Sequence, residues 1–143
     1  MDKIQIKIKK LYPEAKLPIH ATEESAGFDI YSLIDLTINP GEIEKVSTGI
    51  ALELPKGFYL RIEDRSGLAF KGIHRVGGII DSDYRGEIFI ILHNTKKEPY
   101  KIEKHDRIAQ GIITPSYIAE FINVENLSET VRGEGGFHST GKK

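Results

Sequence analysis

The chain has no cysteine, no tryptophan and a single methionine. Without cysteine there is no disulfide framework, no thiolate nucleophile and no sulfur-ligated zinc site, so stability must come from packing or subunit association, and a reducing compartment is expected. No stretch approaches the ~20 consecutive apolar residues of a membrane-spanning helix. The start, Met1-Asp2-Lys3-Ile4-Gln5, lacks the apolar core of a signal peptide, so a soluble, cytoplasmic protein is expected. An excess of one charge is missing too: 20 Lys+Arg stand against 21 Asp+Glu, for a net charge of -1. That balance gives no global drive toward nucleic acid or a membrane, and any anion has to be met locally. His20, His74, His93, His105 and His138 show no close metal-ligand spacing. There is no G-x-x-x-x-G-K-[ST] loop, and Gly133-Glu134-Gly135-Gly136 does not open a helix, which excludes P-loop and dinucleotide-binding readings.

A sustained helical period is also absent; Ser66 to Gly72 has room for one turn at most. What the sequence does have is short β-rich runs. Lys3 to Lys9 alternates strictly, with Ile4, Ile6 and Ile8 on one face, the two-residue period of a half-buried strand. Further runs lie at Ile43 to Leu54, Phe58 to Ile62, Ile88 to Leu92, Arg107 to Ile113 and Ile118 to Val124. Asn39-Pro40-Gly41, Pro55-Lys56-Gly57, Gly77-Gly78 and Thr114-Pro115-Ser116 punctuate them as turns. At 143 residues this is one domain with a real core, and many short strands with regular turns predict a sandwich, jelly roll or barrel.

Several polar segments interrupt this pattern. Asp81-Ser82-Asp83-Tyr84-Arg85-Gly86 follows two isoleucines and reads as a polar hairpin tip. It is either an ordinary turn or a place where a partly buried Asp81 acts as a general base. Arg65-Ser66-Gly67 brings a guanidinium, a hydroxyl and a backbone-exposing glycine together, a trio that suits a phosphate or, alternatively, a solvated turn. Asp29, among apolar neighbours in Ala26-Gly27-Phe28-Asp29, is either paired structurally or near a metal–phosphate site. Gln110 in Arg107-Ile108-Ala109-Gln110 reads as an inward amide that needs hydrogen-bond partners. From Ser128 onward, glycines, charges and hydroxyls surround one aromatic residue, Phe137. This tail is either a disordered end or a segment that orders over a ligand, with Phe137 as a lid and Arg132 meeting an anion.

Taken in order, five such segments resemble the five motifs of the trimeric deoxyuridine triphosphatase family over nearly the whole chain. They are Ala26-Gly27-Phe28-Asp29, Arg65-Ser66-Gly67-Leu68-Ala69, Gly78-Ile79-Ile80-Asp81-Ser82-Asp83-Tyr84-Arg85-Gly86, Arg107-Ile108-Ala109-Gln110, and Arg132-Gly133-Glu134-Gly135-Gly136-Phe137-His138-Ser139-Thr140-Gly141. The resemblance implies an all-β, jelly-roll-like distorted β-barrel over residues 1–127. It also implies a flexible C-terminal arm, 128–143, closing over the active site, and a homotrimer with shared sites. The implied reaction converts dUTP to dUMP and pyrophosphate with Mg²⁺, limiting uracil in DNA and supplying dUMP for dTMP synthesis.

The same resemblance implies the roles. Asp81 activates the water that attacks the α-phosphorus, and Tyr84 packs beneath the deoxyribose. Arg65, Ser66 and Gly67 hold the α- and β-phosphates, and Gln110 adds a phosphate contact. Arg132, Ser139 and Thr140 reach the γ-phosphate, while Phe137 stacks over uracil. Asp29 is at most an indirect contact of the metal. Between the second and third motifs, Ile73-His74-Arg75-Val76-Gly77-Gly78 is shortened and has no Asn. The double glycine resembles that of shorter viral members, so the backbone around Gly78 and Ile80 is expected to read the pyrimidine edge. His105 stands before Asp106 where a glycine is more usual, which predicts a local change of turn. Two competing readings are a dCTP deaminase of the same fold and a trimeric nucleotide sensor without turnover; ammonia release from dCTP identifies the first, and dUTP binding without hydrolysis the second.

Overall fold

The computed structural model describes residues 2–137. The strands are β1 (Lys7–Lys10), β2 (Ile19–His20), β3 (Phe28–Tyr31), β4 (Leu36–Ile38), β5 (Ile43–Ser47), β6 (Ile50–Glu53), β7 (Phe58–Glu63), β8 (Ile73–Arg75), β9 (Ile79–Ile80), β10 (Phe89–Asn94), β11 (Tyr100–Ile102) and β12 (Arg107–Pro115). A single turn of helix, α1 (Ser66–Phe70), interrupts them, as the missing helical period predicts. Small antiparallel sheets wrap one core: β2-β3-β12-β7-β9, β5-β10-β8, β1-β6 and β11-β4. This is the expected all-β, jelly-roll-like barrel. No helix among the described residues is long and apolar enough to cross a membrane.

Alternation drives the burial. On β10, Ile90, Leu92 and Asn94 turn inward and join Ile30, Ile38, Leu60, Ile102 and Ile108 in the core. Each large aliphatic side chain so buried contributes about 1.5–3 kcal/mol. Asn94, the polar member, is satisfied: Nδ2 donates to the carbonyls of Ile38 (2.8 Å) and Glu98 (3.0 Å), and Oδ1 accepts from the Lys96 amide at 2.8 Å.

The widest sheet positions the motifs. β12 runs between β3 and β7, and its register sets Gln110 opposite Asp29 on one side and Glu63 on the other. Gly77 and Gly78 mark where the chain leaves the β5-β10-β8 sheet and enters the five-stranded one. Both take left-handed backbone angles (φ 72° and 116°), which glycine adopts without a Cβ penalty. His105 also has a left-handed φ, 69°, the backbone region that glycine favours, so the histidine occupies it without the change of turn expected from its place before Asp106; its Nε2 lies 2.7 Å from the Glu14 carbonyl oxygen.

Four local expectations need correction. The strand at the N-terminus is only Lys7–Lys10 and pairs with β6, while Ile4 and Ile8 stay 44% and 37% exposed, so the alternating face is not half-buried within one chain. Ile118 to Val124 forms no strand; its β-prone residues pair with no strand among the described residues, and Tyr117, Ile118, Phe121 and Leu127 are 87–97% exposed. Thr114 and Pro115 belong to β12 rather than to a turn, paired with Tyr59 and Phe58 at the end of the ladder. Asp81 to Gly86 is not a hairpin tip, because β9 pairs with β7 whereas β10 pairs with β5 and β8. The segment is a loop crossing from one sheet to another.

Candidate active site

β3, β12 and the start of α1 border a cleft of about 370 Å³, lined by Gly27, Asp29, Arg65, Ser66, Gly67, Arg107 and Gln110 together with Ala21, Ser25 and Ala26. Period-two alternation explains the placement. On β3, Phe28 and Ile30 face the core and Asp29 faces the cleft; on β12, Ala109 and Gly111 are buried and Gln110 stands beside Asp29. The Arg65-Ser66-Gly67 trio follows the end of β7 and opens α1. The first intrahelical bond there runs from the Ala69 amide to the Arg65 carbonyl, so the amides of Ser66 and Gly67 have no helical partner.

Electrostatically, Asp29 is the hub. Its half-buried carboxylate lies 3.2 Å from Arg65 Nε and 3.8 Å from Arg107 Nη1, and Arg65 also donates to the Arg107 carbonyl at 3.4 Å. The structural pairing expected of Asp29 is observed, and the paired carboxylate also lines the cleft. The pairing holds two guanidiniums at the rim of one cleft, where each keeps N–H donors for an anion. Arg107 and Gly27 gained no individual role from the sequence. Their signal was available, since Arg107 begins the Arg107-Ile108-Ala109-Gln110 segment and Gly27 sits in the first one. A Cβ on Gly27 would lie 2.6 Å from Gln110 Oε1, so the glycine makes room for that amide.

Asp81 lies elsewhere on the chain. With Lys56, Tyr59, Asp83 and Arg85 it borders a second cleft of about 470 Å³ that shares no lining residue with the first. The expected partial burial of Asp81 is not observed among the described residues: it is exposed, because the loop leaves the sheet after Ile80. The loop is nevertheless held in shape. Tyr84 Oη donates to the Glu87 carbonyl at 2.9 Å, Arg85 Nη1 donates to the Ser82 carbonyl at 2.6 Å, and the Tyr84 amide donates to the Asp81 carbonyl at 3.2 Å. Upstream, the Gly78 carbonyl accepts from the Ile62 amide at 2.8 Å, which fixes the double-glycine backbone beside Ile80.

Arg132 and Phe137 border neither cleft. Arg132 closes a tight turn on itself, with Nε donating to the Gly135 carbonyl at 2.6 Å, and Phe137 is fully exposed. Ser139 and Thr140 lie outside the described residues. Among the described residues no group of three or more His, Asp or Glu side chains is placed to hold a metal ion.

A chain with this fold and this distribution of guanidinium, amide and carboxylate groups has known relatives. The Nautilia profundicola deoxyuridine 5'-triphosphate nucleotidohydrolase is 50% identical over 142 residues, covering 97% of this chain and all of that protein. The Staphylococcus bacteriophage 80alpha dUTPase solved with dUpNHpp superposes with a TM-score of 0.91 at 28% identity, covering 97% of this chain and 99% of that one. A mutant dUTPase from phage phi11 of S. aureus, solved with a structural Mg(II) ion, shares the fold with a TM-score of 0.83 at 24% identity, covering 88% of this chain and all of that one. The dUTPase family profile matches residues 13–141, and the relatives and the fold agree with it: the chain belongs to the dUTPase family.

Proposed function

We propose that the protein is a dUTP diphosphatase of the cytoplasm that hydrolyses dUTP to dUMP and pyrophosphate. The observation that carries the reading is the 370 Å³ cleft, where Arg65, Ser66, Gly67, Arg107 and Gln110 converge on one space in a chain of this family. Two guanidiniums, a hydroxyl and an amide supply directional donors for the α- and β-phosphates, which a nearly neutral protein has to provide locally. Asp81 removes the proton from a water as its oxygen attacks the α-phosphorus. The α–β bridging P–O bond breaks and pyrophosphate departs with the bridging oxygen. Tyr84 supports the deoxyribose, and the backbone at Gly78 and Ile80 reads the uracil edge. Arg132, Ser139 and Thr140 take the γ-phosphate, and Phe137 covers the base.

Asp29 is already held by Arg65 and Arg107, and among the described residues no cluster of carboxylates or imidazoles is placed to ligate a cation, so magnesium would come in with the triphosphate, whose phosphates Arg65, Arg107 and Gln110 would hold. There it would neutralise phosphate charge and ease departure of pyrophosphate. Asp29 acts on that ion only indirectly, by keeping the two guanidiniums at the cleft.

A complete site needs more than one copy. The base and the phosphate donors border clefts with no common residue, and residues 116–137 present Tyr117, Ile118, Phe121 and Leu127 unburied. Both features support a homotrimer in which Asp81 of one copy meets the Arg65–Gln110 cleft of another, with residues 128–143 acting as an arm over the site. Turnover in oxygen-18 water tests the chemistry: attack at the α-phosphorus places the label in dUMP, whereas label in pyrophosphate rejects it.

A further inference from the structure

Asp64 stands between the end of β7 and the Arg65-Ser66-Gly67 trio, has no role in the mechanism above and does not line the cleft. It lies one residue past the last rung of the β7–β12 ladder, Glu63↔Gln110, so the sheet does not hold its peptide. Its side chain does. Oδ1 accepts the backbone N–H of Arg75 at 2.5 Å, and Oδ2 faces His74 Nδ1 at 3.4 Å, both on β8 in a neighbouring sheet. With its peptide anchored in this way, the Asp64 carbonyl accepts from Gln110 Nε2 at 2.7 Å.

The geometry fixes the Gln110 amide. A carbonyl oxygen can only accept, so the group facing it is the NH₂, and Oε1 is left on the Gly27 side. One N–H is taken by Asp64 and the second is available to an anion in the cleft. Were the amide reversed, Oε1 would face the Asp64 carbonyl, and two acceptors would repel.

We propose that Asp64 is a positioning residue. By tying its own peptide to β8, it orients the Gln110 amide and sets the start of Arg65-Ser66-Gly67 for phosphate binding. The kinetic part of the proposal rests on the dUTP reading; the amide geometry does not.

The test uses the full chain and two readouts. Gln5 and Gln110 are the only glutamines, so the Gln110 side-chain amide signals in a nitrogen–proton correlation spectrum are assigned by their loss in Gln110→Ala. In the wild type they are distinct from those of exposed Gln5 and exchange slowly with solvent. Asp64→Ala moves them to the free-amide position with exchange about tenfold faster, whereas Asp64→Asn, which keeps an acceptor for the Arg75 N–H, leaves them in place. In kinetics, Asp64→Ala raises KM for magnesium dUTP about tenfold with kcat changed less than about threefold. In a Gln110→Ala background the same change adds less than about twofold, because the two residues act as one unit. Asp64→Ser, too short to reach β8 in the same way, replaces Asp64→Ala if that variant does not fold. Unchanged Gln110 amide signals on loss of the carboxylate, or fully additive effects on KM, would overturn the proposal. A wild type inert toward dUTP refutes the dUTP reading instead, and the amide signals still decide the positioning role.

Discussion

Replacing Gly27 with alanine separates stability from activity in a way the cleft geometry makes quantitative. Gly27 does not use a left-handed backbone, so alanine brings no torsional penalty there. The new Cβ would lie 2.6 Å from Gln110 Oε1, 3.2 Å from the Gly111 carbonyl oxygen and 3.3 Å from Gln110 Cβ. The first distance is not tolerable, and the atom that has to move is the far end of a side chain. Gln110 therefore swings away, giving up its 2.7 Å bond to the Asp64 carbonyl and its place in the cleft. The lost bond costs about 0.5–1.5 kcal/mol, against about 0.4–1 kcal/mol gained from the stiffer unfolded chain. The melting temperature should fall by no more than about 3 °C. Activity loses both the Gln110 donor and the space of a methyl group in the cleft, about 1–3 kcal/mol, which is about 5- to 150-fold in kcat/KM for dUTP. Steady-state pyrophosphate release and calorimetric melting on the same preparation measure both. Wild-type kcat/KM, or a collapse of stability without a specific kinetic defect, would refute the reasoning.

Gly111, next to Gln110 on β12 but facing the core, should behave the opposite way. A Cβ there would sit 2.5 Å from the Phe28 ring and 2.8 Å from Leu60, so Gly111→Ala overpacks the barrel and should lower the melting temperature by about 5–10 °C, by calorimetry. Deleting residues 128–143 should leave melting within about 3 °C of the full chain, because Arg132 and Phe137 touch neither cleft, yet reduce turnover about 100-fold or more. Full turnover by the truncated chain would reject the arm. Burial raises the Tyr100 phenol above its ordinary value of 10, with Asp106 adding to the rise and Arg65 opposing it. The stabilisation tied to that shift is present below pH 10 and is lost as pH rises through the raised value; Tyr100→Phe should flatten this alkaline loss in melting measured against pH.

The sequence was legible where local physics decides the outcome. The β-prone run Arg107 to Ile113 predicts the strand that carries Gln110, and the missing helical period predicts at most one turn within Ser66 to Gly72, where α1 forms at Ser66–Phe70. Illegible was what depends on chain pairing across long separations. The isoleucines on either side of Asp81 to Gly86 suggest a hairpin, but β9 and β10 go to different sheets, and no periodicity encodes that choice. The alternation of Ile4, Ile6 and Ile8 and the β-prone Ile118 to Val124 predict strands, yet among the described residues only Lys7–Lys10 finds a partner and Ile118 to Val124 finds none. Arg107 was invisible as a partner of Asp29 because only the β3–β12 register brings the two together.

The central claim is tested most directly by supplying the purified protein with Mg²⁺ and, separately, dUTP, dCTP, dTTP and UTP, and assaying monophosphate, pyrophosphate and ammonia beside Asp81→Asn. The account predicts that dUTP alone is converted to dUMP and pyrophosphate, and that the variant is slower by about 10²–10⁴-fold. Intact dUTP, ammonia released from dCTP, or an Asp81→Asn variant with full turnover would contradict it.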